Sequence, residues 1–339
     1  MGHKDNMDIQ PQHKKHFASG LITVGVILIA ISLYFAYNYL KPAENRWKFE
    51  SVDTMKYSRD LSREKLNDES FNKTIELQVK EIAEIGATHV GIATPYDSEF
   101  LPILRRWVKI ARENKLKVWF RGNFSGWEGW FGYSKIDRAQ HLKLTREFIR
   151  TNSELFEDGD VFSPCPECEN GGPGDPRQNG DVNGHRKFLI DEYNATTQEF
   201  EKIGKKVASN YSSMNFDIAK LVMDRNTTEK MGGIVTIDHY VKSPTQLNSD
   251  ITKIAKMSGG KVILGEFGAP IPDINGNMSE VEQAEWVKEV LDLLSENPNV
   301  IGLNYWINTG GSTEIWTKDG MPKAAALELK TFYQEVNEK

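Results

Sequence analysis

Eight short runs rich in β-branched and aromatic residues recur along this chain, separated by stretches whose apolar residues repeat at helical spacing. The runs are Ser51–Tyr57, His89–Ala93, Lys117–Arg121, Asp160–Ser163, Lys206–Ser209, Gly233–Asp238, Lys261–Glu266 and Asn299–Trp306. They are close to continuously apolar, as strands of a sheet covered on its outer face must be. Between them, Ile75, Val79 and Ile82 repeat before Gly86, and Trp286, Val287, Val290, Leu291 and Leu294 share one helical face. Ser279-Glu280-Val281-Glu282 has the spacing of a capping box, and a last helix is predicted after Pro322 through Ala326, Leu329 and Phe332. Strand-helix alternation favours a parallel sheet, and eight repeats favour its closure into a (β/α)₈ TIM barrel. No Gly-x-Gly-x-x-Gly follows the first run and no Gly-x-x-x-x-Gly-Lys-Ser/Thr occurs, which argues against a doubly wound nucleotide fold.

The barrel is predicted over residues 51–339, preceded by a different kind of segment. No charged residue occurs from Ala18 to Leu40, and about 20 apolar residues suffice for a helix to cross a bilayer. Lys14 and Lys15 precede the run, Lys41 follows it, and Tyr34, Tyr37 and Tyr39 cluster near its end, where amphipathic rings favour the interface. The expected layout is a tail over 1–16, one transmembrane anchor over 17–41 and a linker over 42–50. The competing reading is a signal peptide cleaved after secretion; Phe35-Ala36-Tyr37-Asn38-Tyr39 supplies no good small-x-small site. Lys4, Lys14 and Lys15 on one side balance Lys41, Arg46 and Lys48 on the other, so charge does not set the orientation. The stretch from Glu169 to Gly184, dense in Gly, Pro and Asn, is read as a loop and not a domain boundary.

Lys and Arg number 42 against 48 Asp and Glu, a net charge of −6, with no long basic run, so nucleic acid is a poor partner. Two cysteines, Cys165 and Cys168, are too few for a disulfide scaffold.

In a (β/α)₈ barrel the reactive groups sit where strands end. Glu266 closes the seventh run, and Glu167 and Glu169 lie just past the fourth. Strands four and seven are nearly opposite around eight, so two acids can converge over one cleft, the arrangement that glycoside hydrolysis needs. Carboxyl groups about 5–5.5 Å apart make one a nucleophile and the other an acid and then a base, whereas about 6.5–9.5 Å admits a water and inverts the configuration. Arg121 closes strand three, where a guanidinium can hold a nucleophile ionised. His239 and Tyr240 follow strand six, with the Tyr240 hydroxyl able to orient Glu266; Asn210 and Tyr211 follow strand five. Trp306 closes strand eight as a platform for a sugar face, and Trp127, Trp130 and Tyr133 form an aromatic loop after strand three suited to further subsites. Each has a plainer alternative: Trp306 in the core, His239 a satisfied buried imidazole, Arg121 an ion-pair partner, and the aromatic loop packed on itself.

Ile263-Leu-Gly-Glu-Phe-Gly268, Asn297-Pro-Asn-Val-Ile-Gly-Leu-Asn-Tyr-Trp306 and Asp319-Gly-Met-Pro-Lys323 resemble glycoside hydrolase clan A, particularly its cellulase and β-mannanase-like families, and the likeness runs from Ser51 to Tyr333. The resemblance implies a retaining mechanism with Glu266 as nucleophile, a strand-four Glu as acid/base, and no cofactor or metal. Glu167 matches better, with Glu169 the alternative. The clan usually has Asn before that Glu; here Pro166 stands in its place, which puts the usual contact to the sugar 2-hydroxyl in doubt.

Cys165-Pro-Glu-Cys168 also invites a redox reading, weakened by its place in a proline-broken loop. A noncatalytic carbohydrate-binding barrel is the more serious rival, because fold does not imply function, and transglycosylation is not separable from hydrolysis by sequence. The expectation is a monomeric, single-pass membrane protein whose extracytoplasmic barrel hydrolyses a β-linked polysaccharide or oligosaccharide.

Overall fold

The computed structural model describes residues 1–2 and 47–334. The helix expected across Ala18–Leu40 lies outside them; among the described residues no helix is long and apolar enough to cross a membrane. Residues 47–334 belong to one compact unit.

Within that unit eight parallel strands alternate with helices. They are β1 (Phe49–Asp53), β2 (His89–Ile92), β3 (Lys117–Phe120), β4 (Val161–Phe162), β5 (Ser213–Asn215), β6 (Ile234–Asp238), β7 (Lys261–Phe267) and β8 (Val300–Tyr305). Their order is β4-β3-β2-β1-β8-β7-β6-β5. The two ends of this sheet meet through Ala208, which bridges Val161 of β4: Ala208 N donates to Asp160 O at 2.9 Å and Phe162 N donates to Ala208 O at 2.8 Å. The architecture is thus a TIM barrel.

Two strands differ from the sequence expectation. The fifth was expected at Lys206–Ser209, but that run supplies only the bridge to β4, and the ladder to β6 is made by Ser213–Asn215. Ser213, Met214 and Asn215 carry no β-branched or aromatic side chain, so no strand signal marks them. The first begins at Phe49, ahead of the expected boundary at Ser51, and Trp47 is already buried. It ends at Asp53, whose Oδ1 accepts from Met55 N at 2.7 Å and turns the chain into the short helix Met55–Ser58. The expected loop from Glu169 to Gly184 is also partly helical, at Pro176–Asn179 and from Val182 onward.

Helices cover the outside. The one at Glu280–Ser295 has both bonds of its capping box: Glu282 N to Ser279 Oγ at 3.3 Å and Ser279 N to Glu282 Oε2 at 2.7 Å. It buries Trp286, Val287, Val290, Leu291 and Leu294, and such burial stabilises by about 1.5–3 kcal/mol per side chain. Inside the barrel a separate cluster holds Phe49, Trp119, Val161 and Ile263. Phe49 lies 5.0 Å, ring to ring, from Trp119 on the non-neighbouring strand β3, and 5.3 Å from Tyr211, just ahead of β5. This apolar plug leaves the C-terminal strand ends above it as the polar layer.

Candidate active site

Strand alternation decides which side chains enter that layer. Phe49 points inward, so Asp53 does too; Trp119 points inward, so Arg121 does; Ile234 points inward, so Asp238 does. On β7 the same parity from Ile263 would aim Gly265 inward and Glu266 outward. A register shift prevents this: Ile237 pairs with Leu264, but Asp238 pairs with Glu266, so Gly265 is an extra residue. A bulge of this kind re-aims the side chain that follows it, and Glu266 turns into the barrel beside Asp238. Position 265 must be glycine for this, since a Cβ there would lie 2.3 Å from Asp238 Oδ1 and 2.8 Å from Ser213 Cβ.

Arg121 organises the layer. Its guanidinium, 1% exposed, donates to Asp53 Oδ2, to Glu266 Oε1 at 3.0 Å and to Ser213 Oγ at 3.2 Å, and lies 3.7 Å from Asp238 Oδ2. Burial opposes the cation, but Asp53, Glu266 and Asp238 outweigh it and hold the Arg121 pKa above its ordinary value. Asn304 of β8 fixes the far side, donating from Nδ2 to Asp53 Oδ2 at 3.2 Å and to Gly265 O at 2.9 Å. Glu266 receives a second donor, Tyr240 Oη to Oε2 at 2.8 Å. Burial pushes its pKa up to about 7, against the pull of Arg121, with Glu167 and Asp53 adding to the rise.

Glu167 faces Glu266 from the loop after β4. Oxygens of Glu167, Asp238 and Glu266 lie within 4.8 Å of one another. A divalent cation could bridge such a trio, but the Arg121 guanidinium already supplies positive charge beside two of them. Glu167 has φ +46° and ψ 48°, a left-handed conformation that costs a side-chain-bearing residue about 1–2 kcal/mol. Its backbone N donates to Ser213 O at 2.8 Å, and Asn215 Nδ2 donates to its Oε1 at 3.3 Å. Burial and the neighbouring Glu169 charge raise its pKa, opposed by Arg121, Arg59 and Asn215. The Asp238 pKa is raised well above its ordinary value by burial and by Glu266, against the pull of Arg121. Glu169 is buried, and its Oε1 accepts from Asn215 N at 2.8 Å and Asn215 Nδ2 at 2.9 Å. It braces the start of the helix after β5 and lies outside the trio formed by Glu167, Asp238 and Glu266.

Other expected site residues separate into two groups. Tyr240 lies 5.9 Å from Trp306, ring to ring, and Trp306 is partly exposed at the strand-eight end. His239, between two inward residues, points outward: its Nε2 is 3.1 Å from Asp250 Oδ2 and its ring stacks on Phe216 at 4.1 Å. Asn210 is displaced with the strand it was assigned to, its amide near Gly232 and Tyr193 below the start of β6; the polar group at the true end of β5 is Asn215. Trp127 is 2% exposed, stacked on Phe188 at 5.0 Å with Nε1 donating to Cys168 O at 3.1 Å. It is no platform for a sugar and instead underpins the Glu167 loop. Trp130 is partly exposed, with Arg59 4.9 Å over its ring. Tyr133 donates to Glu99 Oε2 at 2.8 Å.

Sequence reasoning missed Asp53, Ser213, Asn215, Asp238, Asn304 and Glu128. Asp238 was legible as the last residue of an apolar run, whereas Asp53 was hidden inside an overlong strand. Glu128 ends the helical turn Ser125–Glu128 and accepts from Asn123 Nδ2 at 3.2 Å. Burial pushes its pKa up to about 8, with Arg59 and Asn123 opposing and Glu167 and Glu169 adding. Asn123 is held from behind by His141 Nε2 at 2.9 Å, whose Nδ1 meets Glu192 Oε1 at 2.7 Å.

The arrangement has a clear chemical asymmetry. Glu266 accepts from two donors, one of them a cation, which favours its ionised form against the burial that raises it, whereas Glu167 accepts directly from a single neutral amide and feels Arg121 and Arg59 only at a distance. The two titrate as a pair.

Neither a protein-family model nor a curated protein matches the sequence. Solved structures do match. A GH5_18 protein from Bifidobacterium longum subsp. longum, solved in complex with Manb1-4GlcNAc, superposes with TM-score 0.59 at 14% identity, covering 85% of this chain and 78% of that one. A β-glucuronidase from an uncultured Clostridium sp. gives TM-score 0.53 at 17% identity, covering 79% of this chain and 47% of that one. A GH2 β-galacturonidase from Eisenbergiella tayi, bound to galacturonate, gives 0.55 at 13%, covering 86% and 52%. The chain therefore spans about half the length of the glucuronidase and galacturonidase it matches. At these identities the likeness is one of fold: the chain is a TIM barrel of the kind found in these glycoside hydrolases.

Proposed function

We propose that this chain is a retaining β-glycoside hydrolase acting on a β-linked polysaccharide or oligosaccharide, with Glu266 as nucleophile and Glu167 as acid/base. The observation that carries the reading is the approach of Glu167 and Glu266 to within 4.8 Å, oxygen to oxygen, with Arg121 and Tyr240 both bonded to Glu266 alone of the two. A gap this small suits the about 5–5.5 Å of a retaining pair and leaves no room for the water that an inverting pair needs at about 6.5–9.5 Å. In the first step Glu266 attacks the anomeric carbon while Glu167 gives its proton to the departing glycosidic oxygen. In the second, Glu167 takes a proton from water, whose oxygen displaces Glu266 from the glycosyl ester. Arg121 and Tyr240 pull the Glu266 pKa down against the burial that raises it, and aim the carboxylate; Trp306 offers an apolar face to the sugar.

Residues 18–40 tether the chain to a membrane in this reading, as a monomer with the barrel outside the cytoplasm, where β-linked polymers are found. A transglycosylase would use the same first step.

The test is leaving-group dependence. Glu266→Gln lowers turnover of every substrate by more than about 10⁴-fold. Glu167→Ala slows substrates with poor leaving groups by about 10²–10⁴-fold and activated aryl glycosides far less, because only the former need protonation. If Glu169→Ala shows that pattern instead, the acid/base is Glu169; a Glu266→Gln variant with wild-type turnover would falsify the nucleophile assignment.

A further inference from the structure

The chain contains two cysteines, and both are spent within one tight ring around Glu167. We infer that the Cys165–Cys168 disulfide is a positioning device for the acid/base, holding Glu167 against Glu266 so that the ability to protonate a leaving group depends on the oxidised state of this pair. The inference rests on the proposed hydrolase reading and goes beyond it.

Five observations carry it. The ring Cys165-Pro166-Glu167-Cys168 has Glu167 as an interior member, so the crosslink acts directly on that residue's backbone. Glu167 holds a positive φ of 46°, which a residue with a Cβ leaves when nothing holds it there. The sheet cannot hold it, because β4 ends at Phe162 and is the shortest of the eight strands. What remains is a set of loop bonds: Glu167 N to Ser213 O at 2.8 Å, Asn215 Nδ2 to Glu167 Oε1 at 3.3 Å, Asn215 N and Nδ2 to Glu169 Oε1 at 2.8 and 2.9 Å, Asn170 N to Glu167 O at 2.8 Å, Gly172 N to Trp127 O at 2.9 Å and Trp127 Nε1 to Cys168 O at 3.1 Å. None of these is a two-sided strand ladder of the kind that fixes β7, so Glu167 is the member of the pair that moves when the crosslink opens. Both sulfurs are buried against the core, so the bond is part of the packing and not a surface clip.

The nucleophile does not share this dependence. Glu266 is placed by the β7 ladder, the Gly265 bulge, Arg121 and Tyr240, none of which involves either sulfur. Opening the ring therefore removes one half of the chemistry selectively. Dithiothreitol supplies the two electrons and two protons that convert the disulfide to two thiols, and is itself oxidised to its cyclic disulfide.

The experiment compares the full chain untreated, reduced with dithiothreitol, reoxidised, and as Cys165→Ala/Cys168→Ala. Each is assayed on two β-glycosides of the same sugar, one with a poor alkyl leaving group and one with an activated dinitrophenyl group. Reduction and the double variant are expected to lower kcat on the alkyl glycoside by at least about 10-fold, while the dinitrophenyl glycoside stays within about 3-fold. Reoxidation restores the first rate. The basic limb of the pH profile, which reports the acid, weakens or disappears in the reduced form. Retained dinitrophenyl turnover shows that the variant folds and that Glu266 works. Equal loss on both substrates, or no loss on either, overturns the positioning role while leaving the hydrolase reading intact. An untreated chain that cleaves neither glycoside, nor any other β-glycoside, sinks both.

Discussion

Replacing Arg121 by Met is the perturbation whose size follows most directly from the site. The guanidinium bonds Asp53, Glu266 and Ser213 and lies 3.7 Å from Asp238, at 1% exposure. Methionine keeps much of the volume and packs on Trp119, whose ring now lies 4.5 Å from the guanidinium carbon. The loss is therefore chiefly electrostatic: buried carboxylates are left without their shared cation. Breaking a buried pair by removing one partner costs about 3–5 kcal/mol, and with Asp53 and Glu266 both stranded the upper half of that range is expected at neutral pH. The sign of the pH dependence follows from linkage. Glu266 already sits near 7 in the fold against 4.5 for an unperturbed side chain, so the folded state binds its proton more tightly than the unfolded one. The stability this contributes is fully present below the unfolded value and is lost as pH rises through the folded one. Without Arg121 the folded pKa moves higher, so the lost range extends upward and the destabilisation is larger at about pH 8 than at about pH 5. Urea unfolding followed by the fluorescence of the chain's 8 tryptophans measures both. A loss under about 1 kcal/mol, equal at the two pH values, would refute the claim that this cation compensates the buried acids.

Three further outcomes follow. Tyr240→Phe removes the 2.8 Å bond to Glu266 Oε2; a hydrogen bond to a charged group contributes about 1.5–3 kcal/mol, so kcat should fall by roughly 10–100-fold while the acidic limb of the profile moves up, measured with any cleaved glycoside. Trp127→Ala should cost about 3–5 kcal/mol in unfolding free energy as a core cavity and slow poor leaving groups more than aryl ones; an effect confined to KM would restore the sugar-platform reading. In the wild-type chain, Glu167, Asp238 and Glu266 all have raised pKa values, so stability should decline as pH rises from about 4.5 to about 7, read by thermal unfolding across that range.

The amino-acid order alone carries the architecture, because a buried parallel strand and an amphipathic helix have different apolar periods and eight alternations leave few ways to bury both. It also marks Glu266, Arg121, Tyr240 and Trp306, each of which ends an apolar run or closely follows one, where a barrel opens to solvent. What it could not carry is the phase of each strand. A one-residue bulge at Gly265 reverses which of two neighbours enters the barrel, and periodicity shows no trace of it. The same limit explains His239 and Asn210. The imidazole alternates outward to Asp250, and the fifth strand lies beyond the β-branched run, which makes Asn215 the neighbour of both Glu167 and Glu169. Sequence left Trp127 open between a sugar platform and loop packing, because aromatic loops look alike whether they face solvent or core; only the packing of Phe188 and Gly172 around it shows which. Local pattern thus determined where most strands end, β1 and β5 excepted, and only the folded barrel decided which carboxylates meet, since their separation depends on register, bulge and loop constraint among residues far apart in the chain.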